Sequence, residues 1–139
     1  MNATINGINL EDLHLVWLQG SIDNLLKPAE LKPLVLNENA SIDGSRCVMT
    51  DRRVKSRDVT LNFRIKGFNQ QDLMTKVNDV VSKLAQGKDN SGVNELHLID
   101  YGLKFRLVYL KCNKYTSFGT KSALISFTFK ELNPNNRNV

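Results

Sequence analysis

Histidine and cysteine, the residues that most often carry catalysis and metal binding, occur only twice each in these 139 residues. Cys47 and Cys112 are far apart, have no CxxC partner and no histidine at ligand spacing, so no zinc site or disulfide framework is readable and reduced thiols are expected. A Walker-type loop, a dinucleotide fingerprint and a nucleophile–base–acid pattern are also missing. No run approaches the ~18 apolar residues of a membrane span, and no basic segment precedes a short apolar run at the N-terminus. The expectation is a protein made in the cytoplasm that stays soluble, with no catalytic set, metal or cofactor.

What is present is the composition of one folded unit. A chain of this length buries roughly 68% of the surface its unfolded form exposes, and 41% hydrophobic with 24% charged residues is ordinary for a globular protein. Residues 1–139 therefore read as a single domain. The net charge of +5 permits acidic partners, but 14 acids are interspersed among the 19 Lys and Arg.

The first 57 residues are the least regular. Gly7, Gly20, Pro28, Pro33 and Gly44 punctuate short apolar runs, His14 to Leu18 and Leu34 to Leu36, that read as short strands. Ser21 to Leu26 reads as one helical turn with Ser21 as its N-cap and Pro28 stopping it. The polar segment from about 37 to 55 reads as a long loop or hairpin arm with its tip at Asp43-Gly44.

From Asp58 the signals sharpen. Val59, Leu61, Phe63 and Ile65 alternate with polar residues through Lys66, the period of a strand with one buried face. A helix is expected over about 69–86: Asn69 caps it, Asp72 sits in its first turn, Leu73, Val77, Val80, Val81 and Leu84 share one side, and Gly87 closes it. After a connection at 88–92, strands are expected at Val93 to Ile99, Leu103 to Lys111 and Ser122 to Leu132, with turns at Tyr101-Gly102 and Phe118-Gly119. Residues 133–139 are polar and read as a flexible tail. One helix among antiparallel hairpins gives an α+β fold, a β-sandwich or split β-barrel with the amphipathic helix packed on it.

Each chemistry-bearing residue has a structural reading beside the functional one. His14 and His97 read as structural or surface histidines, and Glu11-Asp12 as a solvated turn. Trp17, among Leu13, Val16 and Leu18, reads as core rather than as an interface anchor. The one basic cluster is Arg46, Arg52, Arg53, Lys55 and Arg57. It permits phosphate binding, and a small nucleic-acid-binding module is the alternative reading of the chain. The cluster has no aromatic residues for base stacking, which favours a loop that meets acidic groups of a neighbouring subunit.

The loop with Asp43-Gly44-Ser45, the strand opening Arg57-Asp58-Val59-Thr60-Leu61, the helix closed by Ala85-Gln86-Gly87, and the last strand Ile125-Ser126-Phe127-Thr128-Phe129 before Asn133-Pro134 follow one another in a particular order. That order, over roughly residues 30–135, resembles bacteriophage tail structural proteins, most nearly the N-terminal domain of siphophage distal tail proteins, which is related to tail-tube subunits. The resemblance implies a tail-tube-like fold that assembles as a ring, often a hexamer, around the channel through which DNA leaves the virion. It further implies that the chain is a non-enzymatic structural component of a phage or prophage tail, synthesised in the bacterial cytoplasm and placed in the virion tail. Its partners would be its own copies and other tail proteins. Under it, 37–55 is a clasping arm, Arg46, Arg52 and Arg53 with Lys55 meet acids across the subunit interface, and Arg57 braces the arm's base. Longer distal tail proteins add a galectin-like domain with no counterpart in these residues, and tail-tube lumens are commonly acidic where this chain is basic.

Overall fold

A computed structural model describes residues 3–28, 35–38, 45–48 and 55–138; the side chains of 35–38, 45–48 and Phe118 lie outside the description. Seven strands form one antiparallel sheet: β1 (Ala3–Ile5), β2 (Ile8–Asn9), β3 (Leu15–Trp17), β6 (Arg57–Lys66), β7 (Val93–Leu98), β8 (Leu103–Phe118) and β9 (Ser122–Glu131), in the order β2-β1-β7-β8-β9-β6-β3. A separate antiparallel pair, β4 (Val35–Glu38) and β5 (Ser45–Val48), overlaps the region expected as an arm, with β4 beginning in the short strand expected at Leu34 to Leu36. The helices are α1 (Ser21–Leu26) and α2 (Gln70–Gln86).

The sheet has to curl. β2 and β3 lie at opposite edges, and in a flat seven-stranded sheet at ~4.8 Å spacing they would be about 29 Å apart. Only residues 10–14 join them, and a chain stretched from Asn9 to Leu15 reaches on the order of 20 Å. The linker is in fact tightly turned: the Leu15 N–H donates to the Leu10 carbonyl at 3.0 Å, and His14 sits at φ 61. Leu10 and Leu13 point inward, 5% and 3% exposed, and fill the seam between the two edges. The result is a half-barrel, so of the two expected architectures the split barrel is the one found, with one curled sheet instead of two stacked ones.

The concave side is the core. Val59, Leu61, Phe63 and Ile65 of β6 meet Phe129, Phe127, Ile125 and Ala123 of β9 in direct register, all buried. Trp17 packs on Phe63 with ring centroids 5.0 Å apart, consistent with its reading as core. Tyr109 meets Phe127 and Phe129 edge-on. Helix α2 covers this side with Leu73, Val77, Val80 and Leu84, while Val81 packs at the margin. The Asn69 Oδ1 accepts from the Asp72 N–H at 2.8 Å, and Asp72 Oδ2 accepts from the Phe68 N–H at 2.7 Å, a reciprocal cap that satisfies orphan donors of the first turn. Buried Asn94 ties the other end, donating to the Leu84 carbonyl at 2.8 Å.

Several elements differ from the sequence reading. Strand β8 runs to Phe118, seven residues past Lys111, because two register shifts, between Tyr109 and Lys111 and between Cys112 and Lys114, break the alternation without breaking the pairing with β9. β1 and β2 were too short to carry a period; β1 is held by pairing with β7, and β2 by pairing with β1. Ser21 is not the N-cap; Gly20, at φ 90, holds that position. Ser21 is fully buried, and its hydroxyl donates to the Asn62 carbonyl at 2.9 Å and accepts from the Asn62 N–H at 2.8 Å, extending the edge coverage of β6 beyond β3. The connection at 88–92 contains a short 3₁₀ turn, Lys88–Asn90. Residues 133–138, expected as a flexible tail, have defined partners: the Lys104 N–H donates to the Arg137 carbonyl at 3.0 Å, and Arg106 Nη1 and Nη2 donate to the carbonyls of Asn136 and Asn138.

Two measurements test this account. Gly87 combines φ 71 and ψ −171, a glycine-only region, with a Cβ position 2.5 Å from the Val93 nitrogen, whereas at Gly92, φ 79, an added Cβ meets nothing within 4 Å. In urea unfolding, Gly87→Ala should cost at least about 3 kcal/mol and Gly92→Ala only about 1 kcal/mol. The Phe68 N–H, and then the Lys76 side chain, hold the Asp72 carboxyl below its usual 3.8. Its contribution is complete above that value and is lost as pH falls through the lower folded value, so the thermal midpoint should drop below about pH 4 and drop less steeply in Asp72→Asn.

Candidate functional site

Arg57 opens β6 where the chain returns from the undescribed residues 49–54, and it is spent within the subunit. Helix α1 has only six residues, so its last carbonyls lack intrahelical donors. The Arg57 guanidinium supplies them: Nη1 donates to Lys27 O at 2.6 Å and Asn24 O at 3.2 Å, and Nη2 donates to Leu25 O. Its Nε donates to Glu131 Oε1 at 2.8 Å. A second guanidinium, Arg137, donates from Nε to Glu131 Oε2 at 3.1 Å and from Nη2 to Oε1 at 2.9 Å, and lies 4.8 Å over the Phe105 ring.

Glu131 is fully buried at the end of β9, on the inward face that also carries Phe127 and Phe129. One carboxylate thus joins the end of α1, the start of β6, the end of β9 and the segment after it. A buried acid with a single partner would be costly, and two guanidinium groups with a charge-assisted bond to each oxygen remove that cost.

Beside this cluster lies an open groove of about 570 Å³ whose walls include Asn24, Lys27, Lys55, Asp58, Thr60 and Lys130. Three lysines face one aspartate there, so the groove suits an acidic group.

Of the sequence-derived site residues, the structure brings Lys55 and Arg57 together at this groove. Lys55 is exposed on its wall, and Arg57 braces the root. Arg46 lies on β5 opposite Asn37, and Arg52 and Arg53 lie outside the described residues, as does the expected tip at Asp43-Gly44. Sequence reasoning passed over Glu131, Arg137 and Lys130. The signal for Glu131 was present: it continues the inward series Phe127, Phe129, where an acid demands a partner. Nothing local marked Arg137 as that partner.

The second feature is an open strand edge. β7 pairs β8 only from Leu103 to Val108, and β9 pairs its other side from Leu107 to Phe118. From Tyr109 onward, no described strand pairs with the β7 side of β8. Leu110 and Tyr115 on this stretch are 47% and 41% exposed, and the Tyr115 hydroxyl reaches Met74 Sδ on α2 at 3.7 Å. Among the described residues no three His, Cys, Asp or Glu side chains gather as a metal site.

No family model matches the chain, and no curated protein matches it in sequence. A solved structure with the same fold is that of the SPP1 Dit (gp 19.1) protein, described as a paradigm of the hub adsorption apparatus in phages that infect Gram-positive hosts. The TM-score is 0.63 at 12% identity, over 96% of this chain and 50% of that one. The chain spans about half the length of that protein, and at this identity the likeness is one of fold.

Glu131→Gln should destabilise the protein by about 3 kcal/mol in urea unfolding, since it leaves two largely buried guanidinium groups short of a countercharge. The solvent-facing pair of Glu95 with Lys88 offers the contrast: Glu95→Gln should cost under about 1 kcal/mol.

Proposed function

We propose that this chain is a structural subunit of a phage or prophage tail that joins its own copies into a ring at the tail end or within the tube. The observation that carries the reading is the fold shared with the SPP1 hub protein over nearly the whole chain. Residues 1–139 act as one tail-tube-like domain. The mechanism is geometric: an unpaired edge invites a strand from a neighbour, and pairing it removes the aggregation hazard of an open sheet. The exposed half of β8 is such an edge, and its apolar Leu110 and Tyr115 give a partner something to bury.

The hairpin β4–β5 is the clasping arm of this assembly. Arg46, Arg52, Arg53 and Lys55 meet acidic groups of the adjacent copy, and the groove at the arm's root is where Lys55 and Lys130 receive them. Arg57 serves the interface indirectly, by fixing the end of α1 against β6. Closed symmetry converts one heterologous contact into a ring, of which a hexamer is the expected order. The ring sits in the virion tail around the path of DNA, docks other tail proteins, and its subunits are made in the bacterial cytoplasm before assembly.

Light scattering with electron microscopy of the eluted peak should show rings or stacks for the wild-type chain at high concentration. Leu110→Glu with Tyr115→Glu should leave a monomer whose stability is within about 1 kcal/mol of wild type, since both side chains are already exposed. Arg52→Glu with Arg53→Glu should also prevent ring formation; rings that form unchanged in that variant would reject the role given to the arm.

A further inference from the structure

The convex face of the sheet carries an unusual distribution of charge. Residues directly opposite one another in neighbouring strands share a face, so the pairing fixes its composition. Successive rungs across β6, β9 and β8 are Arg64–Leu124–Thr116, Asn62–Ser126–Lys114 and Thr60–Thr128–Lys111, preceded by Lys66–Ser122–Phe118 and followed by Asp58–Lys130–Val108. Rungs on one face are two residues apart, about 6.8 Å along the strand. Every one of the five holds a cation, and only the last holds an acid. Lys66, Lys111 and Lys114 are exposed. Between them stand hydroxyl and amide groups together with Leu124 and Val108, and Phe118, whose side chain lies outside the description, is opposite Ser122.

We infer that this convex face binds the phosphate backbone of duplex nucleic acid, without regard to sequence, through Lys66, Lys111 and Lys114 with Arg64 beside them. A row of exposed lysines meets what a phosphate backbone offers, which is regularly spaced negative charge. The described side chains of these rungs offer no aromatic ring on which an unpaired base could stack. A second copy of the chain is the competing occupant, and its described acids do not supply the complement. Asp72 and Asp79 pair with lysines on α2, Glu95 with Lys88 and Lys104, and Glu131 with two arginines. Of the other described acids, Asp58 lies opposite Lys130, Glu38 is on β4, and the rest lie one or two at a time in turns and short helices, so they form no acidic face that could cover this one. Lys66, Lys111 and Lys114 lie outside the 46–57 cluster, while the last rung, Asp58–Lys130, borders the groove that also holds Lys55 and Arg57, and the action needs only the single subunit.

The test is fluorescence anisotropy of a labelled mixed-sequence DNA duplex titrated with the full chain at several salt concentrations. Three or four phosphate contacts predict a slope of log K against log salt of about −3 to −4. The triple variant Lys66→Gln, Lys111→Gln, Lys114→Gln should lose at least tenfold in affinity at low salt, with the slope shrinking by about one unit per lysine removed. The double variant Lys76→Gln, Lys83→Gln, on α2 across the core, should bind nearly as wild type. Lys66, Lys83, Lys111 and Lys114 are exposed, and a urea titration of the α2 variant checks that losing the Lys76–Asp72 pair leaves it folded. The inference is overturned if the duplex does not bind at low salt, if the α2 variant loses as much affinity per charge as the sheet variant, or if only Arg52 and Arg53 substitutions abolish binding. It is also overturned if a polyglutamate peptide binds this face and DNA does not. Rings that assemble but ignore DNA would sink this inference and leave the assembly reading standing; DNA binding by a chain that never forms rings would do the reverse.

Discussion

A five-residue linker between two edge strands governs the shape of this molecule. β2 and β3 are sequence neighbours placed at opposite ends of a seven-stranded sheet, and residues 10–14 are too few to cross it flat. The sheet must bend until its ends approach, and Leu10 and Leu13 occupy the gap that the bend creates. That curvature gives the sheet an inside and an outside. On the inside, four aromatic rings of β6, β9 and β8 meet under α2; on the outside, Lys66, Lys111 and Lys114 face solvent.

The linker disposes of two edges and leaves one. Ser21 and Asn24 of α1 satisfy β6 where β3 ends, through Asn62 and through the Thr60 carbonyl. No described element does the same for the second half of β8. It stays in place because β9 accompanies it to Phe118, across two bulges. An edge left open from Tyr109 to Phe118, with Leu110 and Tyr115 exposed on it, makes physical sense if a neighbour is meant to pair with it. The covered edges and the open one are thus complementary consequences of the same chain path.

Glu131 performs a different task, holding ends together. Helix α1 is too short to be stable alone, and the segment after β9 has little apolar surface of its own. Both are held by guanidinium groups that converge on one carboxylate, with Arg57 also completing the open carbonyls of α1. Any force on the arm reaches the body of the domain where Arg57 begins β6.

Local periodicity by itself determined β6, α2, β7 and β9 to within a residue or so, because each is long enough for its pattern to exclude the competing period and carries its own stop or cap, as at Asn69 and Gly87. It also marked a basic stretch at 46–57 and a hairpin in the region of the arm. Tertiary structure alone decided the rest. β1, β2 and the far half of β8 exist through cross-strand bonds that no local period encodes, and Ser21, a good cap by type, was drawn instead to Asn62 by the edge of β6. The pairing of Glu131 with Arg57 and Arg137, and the gathering of scattered lysines on one convex face, depend on strand register. Register is a relation between distant segments, so a residue's neighbours along the chain do not contain it.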